Sequence, residues 1–269
     1  MNDGHSVNRR RILLVLLVTL TLAFGAWRRS VPQDVPIIAA AADLQFALTD
    51  IAAQFQRETG QAVRLVFGSS GSAARQIEQG APFQLFLSAD EQCVSRLVHQ
   101  GRTVDAGVLY AAGRIGIFVP DGSPLQPDGS LQDLKAALDA HRVGAFAIAN
   151  PAHAPYGQRA QEALEAAGLW PAIQPRLVLG ENVIQAAQFA LSGNAQGGII
   201  AYSLACSPTF ASKGRFAIIS EARHQPLNQR MVLLRGAEAT ATAFYHYLQQ
   251  PAARSTLRRY GFALPGEGR

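Results

Sequence analysis

The chain has 269 residues, enough for one large domain or two halves of about 100–150 residues each. Apolar residues make up 48% and charged residues only 16%, which excludes a disordered chain. The net charge of +5 is concentrated in residues 1–33, which hold five arginines and one aspartate; the rest is nearly neutral, with 19 basic and 18 acidic residues, and offers no basic surface for nucleic acid.

The first segment is an export signal. Arg9, Arg10 and Arg11 precede ILLVLLVTLTLAFG (12–25), a basic region followed by a short apolar run. Ala23 and Gly25 supply small residues for cleavage after Gly25. The run falls short of the ~20 residues of a spanning helix, although Ala26 and Trp27 extend it and an uncleaved anchor is the alternative reading.

From residue 35 onward the pattern alternates strands and helices. Val35–Ala40 is an apolar strand, followed by a helix from Asp43 with Leu44, Leu48, Ile51 and Phe55 on one face and Gly60 as its stop. Val63–Phe67 is a strand, 68–72 (GSSGS) a loop, Ala73–Gln79 a short helix, Phe83–Ser88 a strand and Asp90–His99 a helix closed by Gly101. Strands at Ile115–Val119, Val143–Ala149 and Arg176–Leu179 are followed by helices at Leu131–His141, Tyr156–Ala167 and Asn182–Leu191. Strands follow at Gly198–Tyr202, Phe216–Ser220 and Met231–Leu234, and residues 239–260 are helical with a break near Pro251. Strands separated by helices of this length predict βαβ units and an α/β fold with mostly parallel, doubly covered sheets.

A strand end, a polar loop and a helix start recur at Ala41–Asp43, Gly68–Ser72, Asn150–Gly157 and Gly180–Val183. Ligands of open α/β sheets bind beyond the carboxyl ends of the strands. Helix N-termini there present free N–H groups and the positive end of the helix dipole, which suit anions. None of the four loops holds Lys or Arg, so a small, fully ionised oxyanion held by neutral donors fits better than a nucleotide. Each loop also has a plainer reading. Asp43 is a good helix cap, GSSGS is a turn, Tyr156 packs over a hinge, and Val183 is core that binds, if at all, through its N–H. Serine catalysis is disfavoured, because Ser70 is followed directly by Gly71 and no histidine stands near it in sequence. The histidines (5, 99, 141, 153, 224, 246) have no metal-ligand spacing, and His153 reads as an exposed loop residue. Cys93 and Cys206 read as free.

Five segments together resemble the periplasmic molybdate-binding proteins (ModA family) of ABC importers: AAAADLQFALTDIAAQF (39–55), FGSSGSAARQIEQGAPFQLFLSAD (67–90), NPAHAPYGQRAQEAL (150–164), LGENVIQAAQFALSGNAQGGIIAYS (179–203) and ATAFYHYLQQPAARSTLRRYGF (241–262). They occur in the family's order and cover nearly all of the chain after residue 35. The resemblance implies a two-lobed type II periplasmic-binding-protein fold, with mixed, mostly parallel sheets and a ligand cleft between the lobes. Lobe one would span 34–114 plus 230–269 and lobe two 115–229, after a signal peptide and short linker (1–33), with crossovers at Ile115–Val119 and Met231–Leu234. It implies an oxyanion site of Asp43, Ser70, Tyr156 and Val183, with Ala42 and Ser69 adjacent, and no catalytic residue, cofactor or metal cation.

The implied function is a non-enzymatic, monomeric binder of molybdate or tungstate that serves a membrane permease from the periplasm. Sulfate or phosphate binding is the alternative within that class. A regulator's effector domain is disfavoured, because the chain carries an export signal and no helix-turn-helix. Two departures from the family stand out. Asp43 occupies a position where Ser or Asn is common, and its carboxylate would repel a dianion unless it is protonated, acts as a cap, or accepts from a protonated oxyanion. A Tyr that some members place after the Gly-Ile-Val strand corresponds to Ala201 here, with Tyr202 one residue late.

Overall fold

The computed structural model describes residues 35–266; the expected export segment lies outside the described residues. The chain opens with β1 (Ile37–Ala41), a 3-10 turn (Ala42–Leu44) and α1 (Gln45–Thr59), closed by Gly60 at φ 72°. It continues through β2 (Arg64–Gly68), α2 (Ser70–Glu78), β3 (Phe83–Ser88), α3 (Glu91–His99) and β4 (Val108–Gly113). Next come β5 (Ile115–Pro120), α4 (Gln132–Asp139), β6 (Phe146–Ala149), α5 (Pro155–Ala166), α6 (Trp170–Ile173), β7 (Leu177–Gly180) and α7 (Val183–Leu191). After β8 (Gly198–Ala201), the short helices α8 (Tyr202–Ala205) and α9 (Pro208–Ala211) lead to β9 (Gly214–Ile218). The chain ends with β10 (Leu227–Leu233), α10 (Ala239–Tyr247) and α11 (Pro251–Arg259).

The strands form two five-stranded mixed sheets. The first has the order β2-β1-β3-β10-β4, the second β7-β6-β8-β5-β9. β1 is parallel to β2 and β3, and β6 to β7 and β8, while β10 and β5 are antiparallel to their neighbours. The chain passes from the first sheet to the second at Arg114 and returns after β9.

Both faces of the first sheet are buried, which is why its inner strands read as unbroken apolar runs. Ile38, Ala40, Leu85, Leu87, Met231 and Leu233 face one side. Their alternates Ala39, Phe86 and Val232 face the other, with Ala73, Ile77, Val94 and Leu97 of α2 and α3. On the first side, Ala47, Leu48, Ile51 and Phe55 of α1 meet α10 and α11. Phe55 stands edge-on to both Phe244 (5.1 Å) and Tyr247 (5.2 Å).

Several expected boundaries change. The stretch after β2 is not a five-residue loop: α2 starts at Ser70, because the Ser69 hydroxyl caps it by accepting from Ser72 N–H (3.3 Å). β4 escapes the sequence pattern, because VLYAAG ends in Ala-Ala-Gly, residues of low β-propensity. β10 begins at Leu227 rather than Met231, since its early residues alternate Leu, Asn, Gln, Arg with a buried Gln229 on the inward face. Tyr202 opens α8 instead of closing β8. Asp43 does not start the long helix; it lies inside the 3-10 turn before it.

Replacing Phe55 by Ala removes a ring buried between α1 and α10. The expected cost is about 3–5 kcal/mol of stability, read as a lower urea midpoint at an unchanged slope.

Candidate anion-binding site

The carboxyl ends of β1, β2 and β3 in one sheet, and of β6 and β7 in the other, converge on one small cavity. Its wall includes Ala42, Asp43, Ser69, Ser70, Tyr156 and Val183, so the structure brings all six expected residues together. Gly68, Ala89, Ala154 and Asn182 complete much of the lining, which holds no Lys or Arg.

Three α-helices begin at this wall. In α2, Ser69 caps Ser72 N–H and Gly71 N–H donates to His153 O (3.0 Å), leaving the Ser70 N–H. In α7, the Asn182 side chain accepts from Ile184 and Gln185 N–H, leaving the Val183 N–H. In α5, Pro155 holds the first position, where a missing N–H costs nothing, and Tyr156 N–H follows it. First-turn N–H groups have no acceptor within their own helix, so these three remain for a ligand. The Ser70 hydroxyl oxygen accepts from Ala89 N–H (2.9 Å), which fixes the oxygen and leaves its proton to donate. The arrangement suits a small oxyanion held by dipoles and neutral hydrogen bonds.

Asp43 is not a helix cap. Its Oδ2 accepts from the Tyr156 hydroxyl (2.8 Å) and from Gln229 Nε2 (2.6 Å). Its backbone carbonyl accepts from the Ser203 hydroxyl (2.8 Å). Gln229 Oε1 in turn accepts from the Tyr110 hydroxyl (2.6 Å). The Tyr156 hydroxyl therefore serves Asp43, and only its N–H remains for the cavity. Burial drives the Asp43 carboxyl up to about 6, against the opposing hydrogen bonds from Gln229, Tyr156 and the backbone of Asp43 and Leu44. A backbone glycine makes room for this cluster: a Cβ on Gly113 would lie 2.2 Å from the Tyr156 hydroxyl.

His153 is not an exposed loop residue. Its side chain is 10% exposed, with Nδ1 2.9 Å from the Ser69 hydroxyl and Nε2 3.4 Å from Glu181. The Ser72 hydroxyl donates to the same Glu181 (3.2 Å). Ser69 and Ser72 follow β2, whereas His153 and Glu181 follow β6 and β7, so the cluster joins the two sheets' loops. The histidine that sequence distance separates from the serine loop thus stands beside Ser69, while Ser70 is held by Ala89. Sequence reading missed His153, Gln229, Tyr110 and Ser203; the buried Gln in the inward register of β10 is the one local signal among them.

Residues 37–263 match the family of bacterial extracellular solute-binding proteins. The chain belongs to that family. It is 36% identical over 229 residues to the molybdate-binding protein ModA of Rhodobacter capsulatus, covering 84% of this chain and 87% of that one. It is 34% identical over 228 residues to ModA of Escherichia coli K12, covering 84% and 87%. The solved periplasmic molybdate-binding protein of Azotobacter vinelandii superposes with a TM-score of 0.76 at 28% identity, over 86% of this chain and 99% of that one. Within this solute-binding fold, Tyr202 is turned from the cavity: its ring lies against Phe216 and beneath the Arg114 guanidinium. Among the described residues no helix is long and apolar enough to cross a membrane.

A carboxyl raised in the folded state gains protons on folding, so its contribution falls as pH rises from the usual 3.8 to about 6 and is constant above. Asp43→Asn removes this penalty. The stability of the variant relative to the parent should rise across that window by up to about 3 kcal/mol, measured by urea unfolding at pH 4, 5, 6 and 8.

Proposed function

We propose that this solute-binding protein captures molybdate or tungstate outside the cytoplasmic membrane and delivers it to an ABC permease as a monomer, without chemical change and without a cofactor. The observation that carries this reading is the cavity itself. It offers the N–H groups of Ser70, Tyr156 and Val183 and the Ser70 hydroxyl, with no cation in its lining. Ala42 and Ser69 shape the wall beside them. The names of the relatives supply the anion, and the neutral donors agree with it: such a site distinguishes anions by size and by number of acceptors rather than by charge.

Two lobes, 34–114 with 230–269 and 115–229, close around the anion in this reading. The bonds between the loops of the two sheets are those that opening breaks: Gly71 N–H to His153 O, Ser69 to His153, Ser72 to Glu181, and Tyr156 to Asp43. Closure excludes water and creates the shape that the permease recognises. Asp43 favours a second reading, phosphate or another oxyanion that brings its own proton, because a carboxylate accepts from such a ligand.

Titration calorimetry of the purified protein with molybdate, tungstate, sulfate and phosphate tests the choice. Heat with the first two alone is expected. Heat with phosphate alone moves the protein to the second reading, heat with sulfate alone keeps the anion site but overturns molybdate as its ligand, and no heat with any of them overturns the anion site. Ser70→Ala should weaken molybdate binding by about 1–3 kcal/mol through the lost hydroxyl donor; unchanged affinity removes Ser70 from the site.

A further inference from the structure

The two oxygens of Asp43 differ in kind. Oδ2 has two donors, Tyr156 Oη–H and Gln229 Nε2–H. The Gln229 amide has a fixed orientation, because its Oε1 is engaged by Tyr110. Oδ1 is buried and has no hydrogen-bond partner. Asp43 is 1% exposed and lines the cavity. With both side-chain donors on Oδ2, Oδ1 is the oxygen left for an added proton. Without that proton Oδ1 can only accept; with it, Oδ1 donates.

Among the described residues, no counter-charge faces this carboxyl. The turn that carries it packs against α1, α7, α8 and β2. α7 has no charged residue, and Arg64 is at the far end of β2, opposite Ile37. On α1, Asp50 pairs with Arg259, Glu58 bonds Gln54 and Tyr247, and Arg57 lies in the last turn. Tyr202 of α8 lies against Arg114. The titratable neighbours that do face Asp43 are Tyr156 of α5 and Tyr110 of β4, and burial holds both protonated far above the usual tyrosine range.

We infer that Asp43 couples anion capture to the uptake of one proton: a fully deprotonated tetrahedral dianion is held when Oδ1 has taken a proton from solvent and donates it to an oxygen of the anion. This rests on the proposed oxyanion site and adds a proton to its stoichiometry. The balance is simple. One proton leaves water or buffer, binds Oδ1, and is released with the anion. Desolvation has already moved the carboxyl toward neutrality, and a dianion beside it moves it further in the same direction. The residue then selects between anions: a dianion with no proton of its own receives a donor, whereas one carrying a proton meets a donor facing a donor.

Calorimetry with sodium molybdate at about pH 7.5, in two buffers of different ionisation enthalpy, reads the proton directly. The parent protein should take up about one proton per anion. Its affinity should fall about tenfold per pH unit above about pH 6 and level off below. Asp43→Asn should show no uptake and a flat profile. Tyr156→Phe, which keeps the backbone N–H but removes one donor from Oδ2, should move the break to higher pH. Molybdate binding with no proton uptake, or with the same pH profile in parent and Asp43→Asn, overturns the inference and leaves the oxyanion site standing. Phosphate bound without proton uptake and lost in Asp43→Asn also overturns it, because the carboxylate then acts as acceptor. No molybdate heat in any variant at any pH overturns molybdate as the ligand and the coupling together.

Discussion

The hydrogen bond from the Tyr156 hydroxyl to Asp43 Oδ2 is the contact on which the arrangement of the cavity depends. Tyr156 belongs to α5, which follows a strand of the second sheet; Asp43 follows a strand of the first. Gln229, from the strand that returns to the first sheet, completes the cluster, and Tyr110 fixes its amide. A buried carboxylate is costly unless its oxygens are partnered. Here one oxygen is satisfied by two groups brought together from distant parts of the chain. Moving any of those elements uncouples the partners and exposes the cost. The same cluster sets the orientation of the α5 start, and with it the position of an N–H at the cavity wall.

Around that cluster the proposed anion site is built from parts that carry no full charge. Parallel strands end on one side of each sheet, and each of the helices that follow begins where a strand has ended. The capping side chains of Ser69 and Asn182 satisfy later N–H groups and leave the earliest ones for a guest. Neutral donors keep their directions when water is excluded and do not need the desolvation of a lysine or arginine. This is a design for discriminating by geometry, which agrees with membership in a family of solute-binding proteins.

Much of this was legible in the sequence, for local reasons. Apolar runs gave the inner strands, and Gly60 and Gly101 gave helix ends with the left-handed backbone that glycine adopts readily. The four polar loops marked the site because caps and helix starts are written in consecutive residues. What stayed hidden was contact across the chain. Asp43 looks like a cap from its neighbours alone, and its true partners lie 113 and 186 residues away. His153 looks like an exposed loop residue until the serine loop, 84 residues earlier, is folded beside it. The Ser70 start of α2 was obscured by Gly and Ser, which favour turns and caps alike. β4 lacked a strong strand signal, and the buried Gln229 disguised the start of β10.

The order of strands carries a consequence for how the molecule assembles. The second sheet is drawn from one continuous stretch, β5 to β9, and has all its strands once residue 218 is made. The first sheet is different. β10 sits between β3 and β4, so a strand from residues 227–233 fills a gap left open since residue 113. The helices that cover one face of that sheet, α10 and α11, arrive later still. Until the last forty or so residues are available, β3 and β4 have unsatisfied edges and Phe55 has no aromatic neighbours from α10. Such long-range closure makes for slow folding. The first sheet is thus the last to have all its strands, and a chain truncated near residue 220 would retain one sheet with all its strands and one that lacks β10.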